Sequence, residues 1–108
     1  MSTEQHWKML KCAAKACGYE ILDWYGERYT AHDGEKLIAF NPLTNPGDTA
    51  EMCAKLALDT AWGVDDVIVM VPEEEAHEAQ YKDHDNSRLK AWMFAATMVA
   101  AKTQGYEE

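Results

Sequence analysis

The chain has 108 residues, of which 47% are hydrophobic, and its formal net charge is −9. This length and composition predict a single domain over residues 1–108 and exclude a wholly disordered chain. The negative charge argues against direct nucleic-acid binding, because phosphate backbones are bound by clustered lysine and arginine. No apolar run is long enough for a membrane helix and no secretory signal is recognisable, so we expect a cytoplasmic protein without membrane contact.

The first segment, residues 3–17, has the periodicity of an amphipathic helix. Gly18 follows it and is placed to end the helix in the left-handed conformation. The apolar positions recur at steps of three and four: Trp7, Leu10, Ala14 and Cys17. The chain's three cysteines lack metal-ligand spacing, and we expect small core side chains at all of them: Cys12, Cys17 and Cys53.

The next segment, residues 19–40, predicts two or three antiparallel strands in a meander. An Asp33-Gly34 pair supplies a strong hairpin signal, and Leu37 to Phe40 reads as the returning strand. Four aromatic side chains of this segment are expected in the core, with an exposed protein-contact patch as the alternative. They are Trp24, Tyr25, Tyr29 and Phe40.

A second helix is predicted after two prolines. Pro42 ends the strand, since proline cannot donate to a sheet ladder. Either Asn45 caps the helix with Pro46 at its first position, or Asp48 begins a capping box, and the sequence leaves both open. We expect this helix to stop by Trp62.

A β-branched run from Val67 to Val71 predicts a well-buried strand. Local propensity favours a helix for much of the acidic segment that follows, residues 73–85. The alternative is a short edge strand that has Ala79 and Tyr81 on one face. The sequence does not decide between them.

The last helix is predicted over residues 87–104, with Asp85, Asn86 or Ser87 as its cap and Gly105 at its end. The order of elements is therefore α-β-β-β-α-β-(β)-α. This order predicts an α+β fold in which three helices pack on a small, mostly antiparallel sheet.

Three segments carry a resemblance to a known family. They are LKCAAKACGY (residues 10–19), FNPLTNPGDTAEMCAKLAL (40–58) and RLKAWMFAATMVAAK (88–102). With them the chain resembles the phage ABA-sandwich domain family of small phage and prophage proteins. The resemblance implies an α/β/α sandwich and a place of action inside a bacterial host. It brings no established activity and no catalytic residues.

Candidate catalytic and metal-binding groups are few. Asp83, His84 and Asp85 are the densest set of oxygen and nitrogen ligands, and they support the alternative of a metal-dependent hydrolase or nuclease. Adjacent residues do not converge on one ion without a sharp turn, so we favour a solvated acidic loop. His32 and Asp33 are read as turn chemistry rather than as a base and its orienting partner. We expect no enzyme, no catalytic residue, no metal and no cofactor.

The favoured function is that of a non-enzymatic accessory protein that binds a host or phage protein. The acidic segment predicts a basic or nucleic-acid-binding partner, and an anti-defence inhibitor that occupies a basic nucleic-acid channel is one specific form. A further hypothesis is a structural, self-associating module: a homodimer through Trp92 and Met93. The predicted partner-binding residues are Glu73, Glu74, Glu75, Glu78, Asp83 and Asp85.

Overall fold

The structure, a computed structural model, describes residues 3–25, 28–32, 34–72 and 74–107, with the backbone alone for residues 3, 22–25 and 28–30. The helices are α1 (Thr3–Ala16), α2 (Pro46–Leu56) and α3 (Arg88–Lys102). The strands are β1 (Glu20–Tyr25), β2 (Arg28–His32), β3 (Leu37–Phe40), β4 (Asp59–Trp62), β5 (Asp66–Val71) and β6 (Glu75–Gln80). The α+β class, with three helices and antiparallel strands, is confirmed.

The strands form two antiparallel sheets of three strands each, in the orders β1-β2-β3 and β4-β5-β6. The sequence predicted one small sheet. The first sheet is the predicted meander, and its hairpin signal lies between β2 and β3, where Gly34 has φ 99°. Asp33 lies outside the described residues, as do the side chains of Trp24, Tyr25 and Tyr29. Phe40 is buried, as expected for a core aromatic.

Helix α2 settles the open choice of cap. The Asn45 side chain accepts a hydrogen bond from the backbone N–H of Asp48 (3.0 Å), with Pro46 at the start of the helix. The helix ends at Leu56 because Ala57 turns into the left-handed conformation (φ 54°). The helix therefore ends before Trp62, within the limit that the sequence set, but the sequence did not predict the strand that follows it.

Strand β4 occupies residues 59–62, for which the sequence predicted no strand. Thr60 pairs with Val69 and Trp62 pairs with Val67 across the β4–β5 ladder. β-Branched and aromatic side chains suit a pleated surface. The pairing partners lie several residues further along the chain, so the local pattern did not identify the strand.

The acidic segment becomes strand β6 followed by a 3₁₀ turn over Tyr81–His84. Ala79 and Tyr81 are both buried, which agrees with the edge-strand alternative. The Tyr81 hydroxyl donates a hydrogen bond to the carbonyl of Gly63 (2.8 Å), so the buried ring has a partner for its polar end.

Helix α3 lies at the centre of the core, between α1 and the second sheet. Ser87 caps it by accepting a hydrogen bond from the Lys90 N–H (3.1 Å). Its buried alanines let the neighbouring backbones approach closely: Ala91, Ala95, Ala96, Ala100 and Ala101. None of the described helices combines the length and the apolar character that a membrane span requires.

Candidate functional site

The structure distributes the predicted partner-binding carboxylates over several surfaces. Glu73 lies outside the described residues. Glu74 is exposed in the turn between β5 and β6. Glu75 begins β6 on the side that faces α3, and it borders a cavity of about 460 Å³ together with Lys102. These residues therefore do not share one face with the rest of the segment.

Two of the remaining carboxylates, Glu78 and Asp83, border one groove that runs along the outer edge of β6. Asp85 is engaged elsewhere, in an ion pair with Lys90 (2.7 Å) near the start of α3. The hydrogen bond and the charge of Lys90 lower the pKa of Asp85. Glu78 and Asp83 are thus the predicted residues that the structure brings together.

The second sheet has one face against α3 and one face without a packed helix among the described residues. Side chains alternate between the two faces, so the ladder registers identify the members of each. We call the uncovered side the open face. Its members are Asp59, Ala61, Asp66, Ile68, Met70, Ala76, Glu78 and Gln80, which include three carboxylates and no lysine or arginine.

The centre of the open face is apolar. Val67 and Val69 are fully buried toward α3, whereas Ile68 and Met70 are half-buried and do not pack on the core. The expectation that this whole run is well buried is therefore wrong for its open-face residues. A continuous apolar run predicts burial on both faces, and here an apolar patch with an acidic border replaces the second buried face.

Asp66 and Glu78 interact at this border. Their side chains share a hydrogen bond, which raises the pKa of Asp66. Hydrogen bonds from Gln80 and Asp66 lower the pKa of Glu78. The two residues are diagonal neighbours across the β5–β6 ladder. Their carboxyl groups repel each other when both are ionised, and a cation between them removes the repulsion. The pair therefore favours a lysine or arginine side chain as a partner.

A groove of about 860 Å³ runs along the outer edge of β6. We call it the β6 groove. Residues from α1, the loop after β3, β6, the 3₁₀ turn and α3 border it. Its apolar members are Leu10, Leu43, Ala79, Met93 and Phe94, and its acidic members are Glu78 and Asp83. Pockets of this size, mostly apolar with a few polar groups, are typical of binding sites.

The loop after β3, residues 41–45, forms a fixed wall of this groove. The Asp48 carboxylate accepts a hydrogen bond from the Asn41 N–H (2.8 Å), and the Thr49 hydroxyl donates to the carbonyl of Pro42 (2.7 Å). Both Asp48 and Thr49 are buried. The distinctive loop and the acidic segment, which are far apart in sequence, thus meet at one groove.

Two histidines pack against Phe94 at the β6 groove. The ring centroids of His77 and His84 lie 5.7 and 4.8 Å from that of Phe94. Burial lowers the pKa of His84, although the charges of Asp83 and Asp85 act in the opposite direction. The imidazole of His84 is therefore held by packing against an aromatic ring.

The ligand set of the metal-hydrolase alternative does not converge. Asp85 pairs with Lys90 while His84 packs on Phe94. Within residues 3–25, 28–32, 34–72 and 74–107, no group of three histidine, cysteine or carboxylate side chains is arranged to hold a metal ion. Nδ1 of His32 accepts a hydrogen bond from the Gly34 N–H (3.1 Å), which agrees with turn chemistry.

The three cysteines are free thiols, and two of them, Cys17 and Cys53, have a raised pKa and therefore low reactivity. Burial raises the pKa of Cys17 to about 11 and that of Cys53 to about 11. The thiolate is the reactive form, so these side chains are poor nucleophiles near neutral pH. Cys12 is half-buried against the core.

Sequence reasoning missed two carboxylates of the open face, Asp59 and Asp66. The signal for Asp66 was its alternation with Ile68 and Met70. Asp59 was missed because the sequence predicted no strand over residues 59–62. No family model matches this chain, and neither a curated protein nor a solved structure matches it.

Proposed function

We propose that this protein acts without catalysis, by binding another protein that presents a basic surface. The observation that carries the proposal is the open face. It combines three carboxylates, no lysine or arginine, and two half-buried aliphatic side chains, Ile68 and Met70. An apolar centre with a charged border is the usual anatomy of a protein–protein interface.

The net charge of −9 supports the same partner chemistry, because it attracts basic surfaces over a distance and repels acidic ones. The resemblance to phage ABA-sandwich proteins supports the role of a phage or prophage accessory protein inside a bacterial host. An anti-defence inhibitor that covers a basic nucleic-acid channel is the specific form that this charge favours.

The homodimer through Trp92 and Met93 receives less support. Met93 is buried within the chain. The Trp92 indole N–H donates to the Thr60 hydroxyl (3.2 Å), and its ring packs at 6.3 Å from that of Trp62. Both side chains are thus occupied by contacts inside the protein.

The proposal is tested by affinity capture from bacterial lysate at increasing salt. The test variant removes the three open-face charges: Asp59→Asn, Asp66→Asn and Glu78→Gln. A matched variant removes three exposed charges elsewhere: Glu20→Gln, Glu51→Gln and Glu107→Gln. We expect the open-face variant to lose a salt-sensitive partner that the matched variant retains, because only the first removes charges from the interface.

Capture of the same proteins by both variants, to the same extent as by the unchanged protein, would contradict the proposal. We expect circular dichroism to show that both variants keep the fold, since five of the six positions are exposed and the sixth, Asp66, is half-buried.

A further inference from the structure

The backbone of β6 is unpaired on one side. In the order β4-β5-β6, strand β6 is an edge. The Tyr81 N–H donates a hydrogen bond to the Asp65 carbonyl (2.9 Å). In an antiparallel pair every second residue directs its N–H and C=O groups toward the same neighbouring strand, so Glu75, His77 and Ala79 direct theirs toward β5. The intervening residues, Ala76, Glu78 and Gln80, therefore point these groups away from the sheet. The carbonyl of Gln80 belongs to the 3₁₀ turn, which begins at the next residue. The N–H groups of all three residues, and the carbonyls of Ala76 and Glu78, have no hydrogen-bond partner among the described residues.

This edge carries two charged side chains, Glu75 and Glu78, but lacks the other devices that prevent strand pairing. Natural edges are blunted by lysine, proline or bulges, or they are covered by a loop. The β5–β6 register is continuous from Val71–Glu75 to Asp66–Gln80, so β6 has no bulge. It contains neither lysine nor proline. The edge instead forms one side of the β6 groove, whose volume of about 860 Å³ leaves room for an added chain segment.

The two sides of the edge have different chemistry. Glu78 lies on the open face, next to Asp66. On the other side, His77 faces α3 and packs on Phe94, and Leu10 and Met93 also border the groove. Side chains of an added strand would alternate between these sides. An alternation of basic and apolar residues is therefore complementary to both.

The negative charge near the β6 edge argues against a second copy of this chain as the segment that binds there. Pairing of two β6 edges would bring Glu78 of one copy near the acidic open face of the other, and like charges on adjacent strands are destabilising. Asp83, at the same groove, makes no ion pair with any residue that the structure describes. Lys90 is the basic member of the groove, and it is paired with Asp85.

We propose that the β6 edge binds an extended segment of the partner protein by strand addition. The segment alternates basic side chains, which lie beside Glu78, with apolar side chains, which lie beside Phe94. This inference rests on the proposed function for the basic character of the partner and adds the mode of binding. Main-chain hydrogen bonds supply affinity in such complexes, and alternate side chains supply specificity.

The test uses a synthetic peptide in which lysine and valine alternate, and the same peptide with alternate backbone amides N-methylated. The second peptide keeps every charge but cannot complete the ladder. We expect the first peptide to bind and to slow hydrogen exchange at the N–H groups of Ala76, Glu78 and Gln80. We expect N-methylation to weaken binding by about tenfold or more, from the loss of several hydrogen bonds.

A protein variant gives a second readout. Ala76→Pro removes an outward N–H, which no described residue accepts, so the β5–β6 ladder keeps its bonds. We expect this variant to bind the lysine–valine peptide about threefold more weakly, or weaker still. Equal binding of both peptides would overturn strand addition, as would slowed exchange on β4 rather than β6. In that case the open-face charge variant would still decide the proposed function, because it does not depend on backbone pairing.

Discussion

The residues around the β6 groove are fixed by specific hydrogen bonds. Asp48 is buried and bonds to the backbone of Asn41, while Asn45 caps the helix that carries Asp48. The Asn41 side chain also accepts a hydrogen bond from the Leu43 N–H (3.1 Å). Every one of these bonds joins residues within seven positions of each other. The loop is therefore held by its own sequence, and it can serve as a rigid wall.

His84 gives a prediction at the residue scale. Burial against Phe94 places its pKa below the ordinary value of 6.5. The unfolded chain then binds the proton more readily than the folded protein does. Stability is lost as pH falls from about 6.5 through the lowered folded pKa, and His84 contributes no such loss above that range. We expect an NMR titration of the His84 ring to give a pKa below 6.5.

The control is His84→Gln, in which we expect a weaker dependence of unfolding free energy on pH between about pH 7 and pH 5. A ring that titrates at or above its ordinary value would show that contact with Phe94 does not desolvate the imidazole. His6 is also half-buried with a lowered pKa, so its signal must be assigned separately.

At the scale of elements, helix ends decide where strands begin. Helix α2 ends because Ala57 adopts φ 54°, and the Leu58 N–H bonds to the Cys53 carbonyl (2.9 Å). An alanine in the left-handed region costs about 1–2 kcal/mol, which glycine does not incur. The turn nevertheless forms, since it allows β4 to pair with β5.

Ala57→Gly is therefore expected to stabilise the protein by about 0.5–1 kcal/mol, measured by chemical denaturation. The matched change, Ala54→Gly, lies on the exposed side of the same helix and is expected to destabilise by about 1 kcal/mol. Two changes of the same sign would show that the conformation at residue 57 does not limit stability.

At the scale of the whole molecule, α3 connects the layers. It contacts α1 on one side and the second sheet on the other. Ala95, Ala96 and Ala100 have no exposed surface. The small side chains set the distance between these layers. The second sheet consequently keeps its position, with one face on α3 and the open face away from the core.

Overpacking tests this arrangement. We expect Ala96→Leu to destabilise the protein by about 1–3 kcal/mol, because a close-packed core has no room for the added methylenes. The control is Ala50→Leu on the exposed side of α2, for which we expect a change within about 0.5 kcal/mol. Thermal unfolding measures both. A tolerant Ala96 would mean that the layers separate easily.

The sequence by itself determined the elements whose signals are local. The helical periods of α1 and α3, the Gly18 stop, the Asp33-Gly34 turn signal and the set of possible caps for α2 all depend on neighbouring residues. These features rest on backbone preferences and turn chemistry, which act within a few positions.

Tertiary structure alone decided the two sheets, β4, the open face and the β6 groove. Each depends on partners that are distant in sequence, such as Trp92 with Thr60, 32 residues apart, or the loop after β3 with β6. The periodicity of a strand shows that it has two faces. The packing of the layers, which removes apolar surface from water, decides which face α3 covers. The same packing decides which carboxylates remain exposed together on the other face.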